Sequence, residues 1–124
     1  MIRSAKARKQ RKFRYTAPMH LRQNLANVHI SKDLSAKLGI KKRSIEVRKG
    51  DTVKVMAGDS KGKTGKVTDV DLKSAKIMIE GIVKKNAKGK ELQIPIPASS
   101  VYMTEMDLTD KLRKAAIDGI KAKK

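Results

Sequence analysis

From Ser44 onward the apolar residues fall at every second position, and this period constrains the fold most. Val53 and Val55 alternate with Thr52 and Lys54, and Ile77 and Ile79 with Lys76 and Glu80. Leu92, Ile94 and Ile96 alternate with Gln93 and Pro95, and Val101 and Met103 with Tyr102 and Thr104. Period two places one side of each run against a core and the other in solvent, the signature of half-buried strands. Turn signals separate the runs at Gly58 to Gly65, Leu72 to Ser74, Asn86 to Lys90 and Pro97 to Ser100. Val67 and Val70 break the alternation, which predicts a bulge or twist in the second strand. Pro95 and Pro97 each lack a backbone donor and place their strand at an edge. Five short strands with tight connections predict a mainly β fold, a small antiparallel barrel.

The core has few large side chains to work with. The 124 residues include one Phe, two Tyr and no Trp, so Val, Ile, Leu, Met and Ala must fill it. Met56, Met78, Met103 and Met106 are the expected fillers. A domain this small has little stability to spare, and a bound partner would add to it.

The flanks read as helices. Ser31 is placed to cap a short helix in which Leu34 and Leu38 share a face, and Gly39 ends it. A first helical turn is expected after Pro18. Near the end, Leu108, Leu112 and Ala115 or Ala116 fall at spacings of three and four, with Gly119 as the stop and "IKAKK" as a basic tail. The chain thus divides into a basic extension (1–43), a β domain (44–106) and a C-terminal helix with its tail (107–124).

Charge sets the functional class. Thirty-one basic residues against twelve acidic ones give +19. Residues 1–49 hold 15 basic and 2 acidic residues, residues 50–106 hold 10 and 7, and residues 107–124 hold 6 and 3. An ordinary balanced domain therefore carries a polyanion-seeking arm, with nucleic acid the first candidate partner and an anionic membrane surface the second. Arg3, Lys6, Arg8, Lys9, Arg11, Lys12 and Arg14 form the densest cluster, in a segment too polar to fold alone. It is expected to stay disordered until it meets phosphates; an unstructured solubilising tail would have the same composition. Phe13 and Tyr15 interrupt it and suit either base stacking or anchoring of the arm. Lys41, Lys42, Arg43, Arg48 and Lys49 make a second basic cluster, and His20 beside Arg22 suits hydrogen bonding to RNA or backbone.

Other chemistries find little support. Without cysteine there is no disulfide or cysteine-based zinc site. Two histidines are too few for a metal centre, and no cofactor is expected. The N-terminus lacks the apolar stretch of a secretory signal, and no run approaches the length that crosses a bilayer. Asp69 and Asp71 share a strand side, but nothing suggests the pocket a catalytic pair needs.

The stretch "AGDSKGKTGKV", Ala57 to Val67, invites comparison with a nucleotide-binding P-loop. The template needs a glycine with four residues between it and Gly62, where Ala57 stands, and it must feed a helix. Here Gly65 and β-branched residues follow instead. A strand–loop–strand turn fits better, with Gly58, Gly62 and Gly65 supplying positive φ. Lys61, Lys63 and Lys66 then project either as phosphate contacts or as a solvated turn.

These residues carry a family resemblance. "RKGDTVKVMAGDSKGKTGKVTDVDLKSAKIMIEGI", Arg48 to Ile82, resembles a KOW motif, with Gly62 as its characteristic glycine. With "RKQRKFRYTAPMHLR", the Ser31–Gly39 segment and "LTDKLRKAA", nearly the whole chain is similar to a KOW-domain family of large-subunit ribosomal proteins, numbered twenty-four in that series. The match is to its archaeal and eukaryotic branch, and the short tail looks archaeal. The resemblance implies an SH3-like barrel and a non-enzymatic, ribosome-bound cytoplasmic protein. It further implies binding to the 5′ region of the large-subunit rRNA, help in subunit assembly, and neighbouring ribosomal proteins near the polypeptide exit tunnel. A KOW-type transcription elongation accessory, bound to RNA polymerase or nucleic acid, is the alternative.

Overall fold

The computed structural model describes residues 3–122; the first two residues of the basic extension and the last two of the expected tail lie outside them. Helices α1 (Ala7–Thr16) and α2 (Met19–Leu25) precede strand β1 (Asn27–Ile30) and helix α3 (Lys32–Leu38). Strands β2 (Ser44–Glu46), β3 (Thr52–Val55), β4 (Thr64–Asp71), β5 (Lys76–Ile79), β6 (Val83–Lys85), β7 (Glu91–Gln93) and β8 (Ile96–Pro97) follow. A 3-10 turn, Ala98–Ser100, leads to β9 (Val101–Glu105), and helix α4 (Lys111–Ala122) comes last.

The protein is mainly β, as its alternation predicts. Seven strands form one open sheet in the order β2-β1-β9-β3-β4-β5-β8, and β6 and β7 form a separate hairpin. The sheet is not purely antiparallel: β1 runs parallel to β9, pairing His29 with Tyr102 and Ile30 with Met103. Neither β1 nor β2 was expected, because each is too short to show a period against its neighbouring turns. The anticipated strand over Leu92–Ile96 is split. Glu91–Gln93 pairs with β6, whereas Ile96–Pro97 pairs with β5 at the sheet edge. The break falls at Pro95, which has no amide to give to a ladder. The irregularity expected near Val67 is present as a register shift between Val67 and Asp69 against β5.

The connection from β8 to β9 curves the sheet. These strands lie at the two ends of the run β9-β3-β4-β5-β8, yet three residues join them. In a flat sheet they would stand about 19 Å apart at the usual strand spacing. Three residues of 3-10 helix advance only about 6 Å, so the sheet must curl for its ends to approach.

Aliphatic side chains fill the concave interior. Val28, Val53, Val55, Ile77, Ile79, Ile82, Val101 and Met103 are all but inaccessible to solvent, and Leu34 from α3 and Ile117 from α4 close the cluster. Each fully buried aliphatic side chain contributes about 1.5–3 kcal/mol. Of the four methionines expected inside, Met103 alone is buried; Met78 and Met106 are half-buried and Met56 is exposed. Gly65 sits on β4 where a Cβ would lie 2.6 Å from the Glu80 carbonyl oxygen, so any side chain there would have to push the neighbouring backbone aside.

Helix α3 forms as its cap and stop predict. The Ser31 hydroxyl accepts from the Leu34 amide at 3.2 Å, and Gly39 ends the helix at φ +63°. Pro18 likewise precedes α2. Helix α4 differs. It runs through Gly119, Leu108 precedes it, and Leu112 is 80% exposed. Its inward face carries Arg113 and Ile117.

Arg113 is the reason for that choice of face. Asp51, at the start of β3, is fully buried, and Arg113 grips it with two parallel bonds, Nη1 to Oδ1 at 2.6 Å and Nη2 to Oδ2 at 2.7 Å. Arg113 also donates to the carbonyls of Asp107 (2.9 Å) and Glu46 (3.1 Å). Asp51 accepts the amides of Arg48 (2.8 Å) and Asp107 (3.0 Å) as well. The pair ties α4, the end of β2 and the turn into β3 into one unit.

Candidate nucleic-acid interface

Five of the seven N-terminal cations, Arg8, Lys9, Arg11, Lys12 and Arg14, stand on helix α1 and not on an unfolded arm; Arg3 and Lys6 precede it. Ala7 to Tyr15 contains no Gly, Pro or β-branched residue, which favours helix. Little else supports α1: no side chain caps its start, its first turn holds no acid, and it buries no residue. Arg8, Arg11 and Lys12 lie three and four residues apart, spacings at which like charges repel. A ten-residue helix that buries no residue is marginal in water on its own. Arg3, Lys6, Arg8, Lys9, Arg11, Lys12 and Arg14 are not in any ion pair among the described residues. Tyr15 is 75% exposed, whereas Phe13 is half-buried, so Phe13 is the aromatic suited to anchoring.

Arg22 links α2 back to α1, its Nη2 donating to the Tyr15 carbonyl at 2.8 Å. His20 is exposed on α2. His29 and Tyr102 meet edge to face across the parallel strands, with ring centroids 5.5 Å apart.

The second basic cluster separates into two parts. Lys41, Lys42 and Arg43 are exposed on the link from α3 to β2. With Lys32, which the sequence reading passed over, they wall a shallow groove of about 630 Å³ beside Gly39. Arg48 and Lys49 are already engaged. Arg48 pairs with Asp110, and Lys49 Nζ lies 2.7 Å from Asp69. The Lys49 hydrogen bond is the main reason that Asp69 titrates below the usual aspartate value. Both pairs are solvent-exposed and weak, so a phosphate could compete for either cation. Asp71 is held low chiefly by the Ser74 hydroxyl and caps its own turn; the two aspartates have separate partners.

The glycine loop is a strand connection. Gly58 and Gly62 adopt φ +91° and +87°, as expected, but Gly65 does not have positive φ. Its role is the close approach to Glu80 described above. The Gly62 amide donates to the Val55 carbonyl at 2.8 Å and the Lys61 amide to that of Gly58 at 3.0 Å. These amides are spent within the turn, and Thr64 opens β4 where a phosphate cradle would need a helix. Lys61, Lys63 and Lys66 remain exposed. Among the described residues no three His, Cys, Asp or Glu side chains gather as a metal site, and no helix is long and apolar enough to cross a membrane.

Residues 4–119 match the family model that describes the eukaryotic L26 ribosomal proteins and their archaeal L24 counterparts. The chain belongs to this family. A large ribosomal subunit protein uL24 from Pyrobaculum islandicum is 47% identical over 114 residues, covering 92% of this chain and 91% of the relative. Those of Methanocella arvoryzae and Saccharolobus solfataricus are 45% and 44% identical, each covering more than nine-tenths of both chains. The family resemblance seen in the sequence is therefore correct, including its archaeal character. Arg113 is the residue that sequence reasoning missed. Its place in a basic C-terminal segment gave no sign that it faces inward; only the topology brings Asp51 to it.

Proposed function

We propose that this protein is a structural constituent of the large ribosomal subunit that binds rRNA through its basic N-terminal part. Family membership over nearly the whole chain supports the ribosomal role and, with it, a ribosome-bound cytoplasmic location. A structural family of this kind implies no catalytic role. The observation that carries rRNA binding is α1, which presents Arg8, Lys9, Arg11, Lys12 and Arg14 with no acidic partner among the described residues and no buried residue.

In this reading residues 44–106 form an SH3-like KOW barrel, a description that the curl imposed by the β8–β9 connection supports. Residues 1–43 are the extension and residues 107–124 the C-terminal helix and tail, the latter clasped by Asp51–Arg113. The curved sheet fixes register while Arg and Lys bind phosphates. Lys41, Lys42, Arg43, Lys61, Lys63 and Lys66 extend the contact, Arg48 and Lys49 join it by exchanging their carboxylates for phosphate, and His20 and Arg22 add hydrogen bonds. RNA shape does most of the selecting. From the family resemblance come the more specific proposals: the 5′ region of the large-subunit rRNA, a part in assembly, and protein neighbours near the exit tunnel.

Sedimentation of the tagged protein from lysate tests the reading. Co-migration with large subunits at moderate salt supports it. Co-migration with RNA polymerase would favour the transcription-accessory alternative.

A further inference from the structure

The β6–β7 hairpin has no part in the interface described above, yet it concentrates charge. Every residue from Val83 to Gln93 is exposed, and the hairpin is a sheet of its own. It contributes nothing to the core, and an isolated two-stranded hairpin is marginally stable at best. Its eleven residues hold Lys84, Lys85, Lys88 and Lys90 against Glu91 alone. Elsewhere between residues 50 and 106, six basic residues balance six acidic ones. The hairpin therefore carries all the net charge of the β domain.

Its two faces differ. Val83 opposes Gln93 and Lys85 opposes Glu91, so these four share one side. Thr68 of β4 is hydrogen-bonded to Gln93, which turns this side toward the main sheet, and Lys85 is paired with Glu91 there at 3.5 Å. The other side carries Lys84 opposite Leu92, which is 45% exposed. Lys90 follows on that side by alternation, its carbonyl accepting the Asn86 amide at 2.9 Å, and Lys88 stands in the tip. Lys84 and Lys90 are diagonal neighbours, about 7–8 Å apart. Neither they nor Lys88 enters an ion pair among the described residues. Side chains serving only to solvate a hairpin would mix signs as the rest of this domain does.

We propose that the outer face of this hairpin, Lys84, Lys88 and Lys90 around Leu92, is a further RNA-contact finger, its ammonium groups on backbone phosphates and Leu92 against the sugar–base surface. This rests on the rRNA-binding reading and adds a contact independent of the N-terminal helix.

The test uses the full chain with Lys84→Gln, Lys88→Gln and Lys90→Gln combined, bound to transcribed large-subunit rRNA over a series of KCl concentrations. All three side chains are exposed, so the melting temperature should stay that of wild type. Three lost phosphate contacts should reduce the slope of log affinity against log salt by about 2–3 units, and Lys→Arg at the same positions should restore it. An unchanged slope and affinity, with wild type binding normally, would overturn the finger alone. Wild type without salt-dependent rRNA binding would instead overturn the reading on which it rests. A triple variant that binds rRNA normally but fails to enter assembled subunits would assign the hairpin to a protein neighbour and also refute the inference.

Discussion

Replacing Arg113 with Met should be among the most destabilising single changes in this protein, although the residue sits in a basic segment near the C-terminus. The substitution keeps much of the side chain's bulk and removes its charge. Asp51 then keeps a fully buried carboxylate with two amide donors and no cation, and the Glu46 and Asp107 carbonyls each lose a donor. Removing one partner of a buried pair costs about 3–5 kcal/mol, against a total of about 5–15 kcal/mol for a typical domain. Urea unfolding followed by far-ultraviolet circular dichroism measures it, and an unchanged m-value would show that stability alone has moved. Asp51→Leu combined with Arg113→Met should recover part of the loss. Full recovery is not expected, because the Arg48 and Asp107 amides would each remain unsatisfied at a cost of about 1–3 kcal/mol. The salt slope of RNA binding should stay near that of wild type under folding conditions, since Arg113 faces inward. A single variant within about 0.5 kcal/mol of wild type, the range of ordinary surface changes, would refute the clasp.

Gly65→Ala should cost about 1–3 kcal/mol, because its Cβ would press on the Glu80 backbone and the Ile79 side chain. Gly62→Ala has open space around it and should lose about 1–2 kcal/mol, for an unfavourable positive φ; a Gly65→Ala variant that melts with wild type would contradict the packing. Asp69, Asp71, Asp107 and Asp110 all titrate below the ordinary value of 3.8, so folding favours their charged forms. Their contribution is present above that pH and lost as pH falls through the folded values, so the melting temperature should drop below about pH 4, and a flat profile from pH 5 to 3 would oppose this. Nucleotide hydrolysis should be absent; turnover abolished by Lys63→Ala would revive a phosphate-transfer role for the glycine loop.

Local signals were the legible ones. Ser31 and Gly39 bracket a seven-residue helix with their own hydrogen bonds and φ, so three or four neighbouring residues suffice to foresee it. The bulge near Val67 and the edge position of the Pro97 strand follow from equally local rules. Features that depend on distant partners were not legible. β1 exists because β9, about seventy residues away, offers it a parallel edge. Gly65 resembled a third turn glycine until Glu80 was brought against it. Leu112 had the right spacing for a buried face, but burial of Asp51 at zero accessibility required its counter-ion there, and Arg113 turned the helix. In the candidate interface, composition pointed to the cations. It could not show that Arg48 and Lys49 already hold carboxylates, or that five of the seven N-terminal cations lie on a helix.

The salt dependence of rRNA binding by the chain lacking residues 1–14 tests the central claim most directly. Seven cations leave with that segment. At about 0.9 units of slope per phosphate contact, the slope of log affinity against log salt should fall by about 4–6 units, with much weaker binding at moderate salt. A truncated protein that folds and binds with the slope of the full chain would contradict the account.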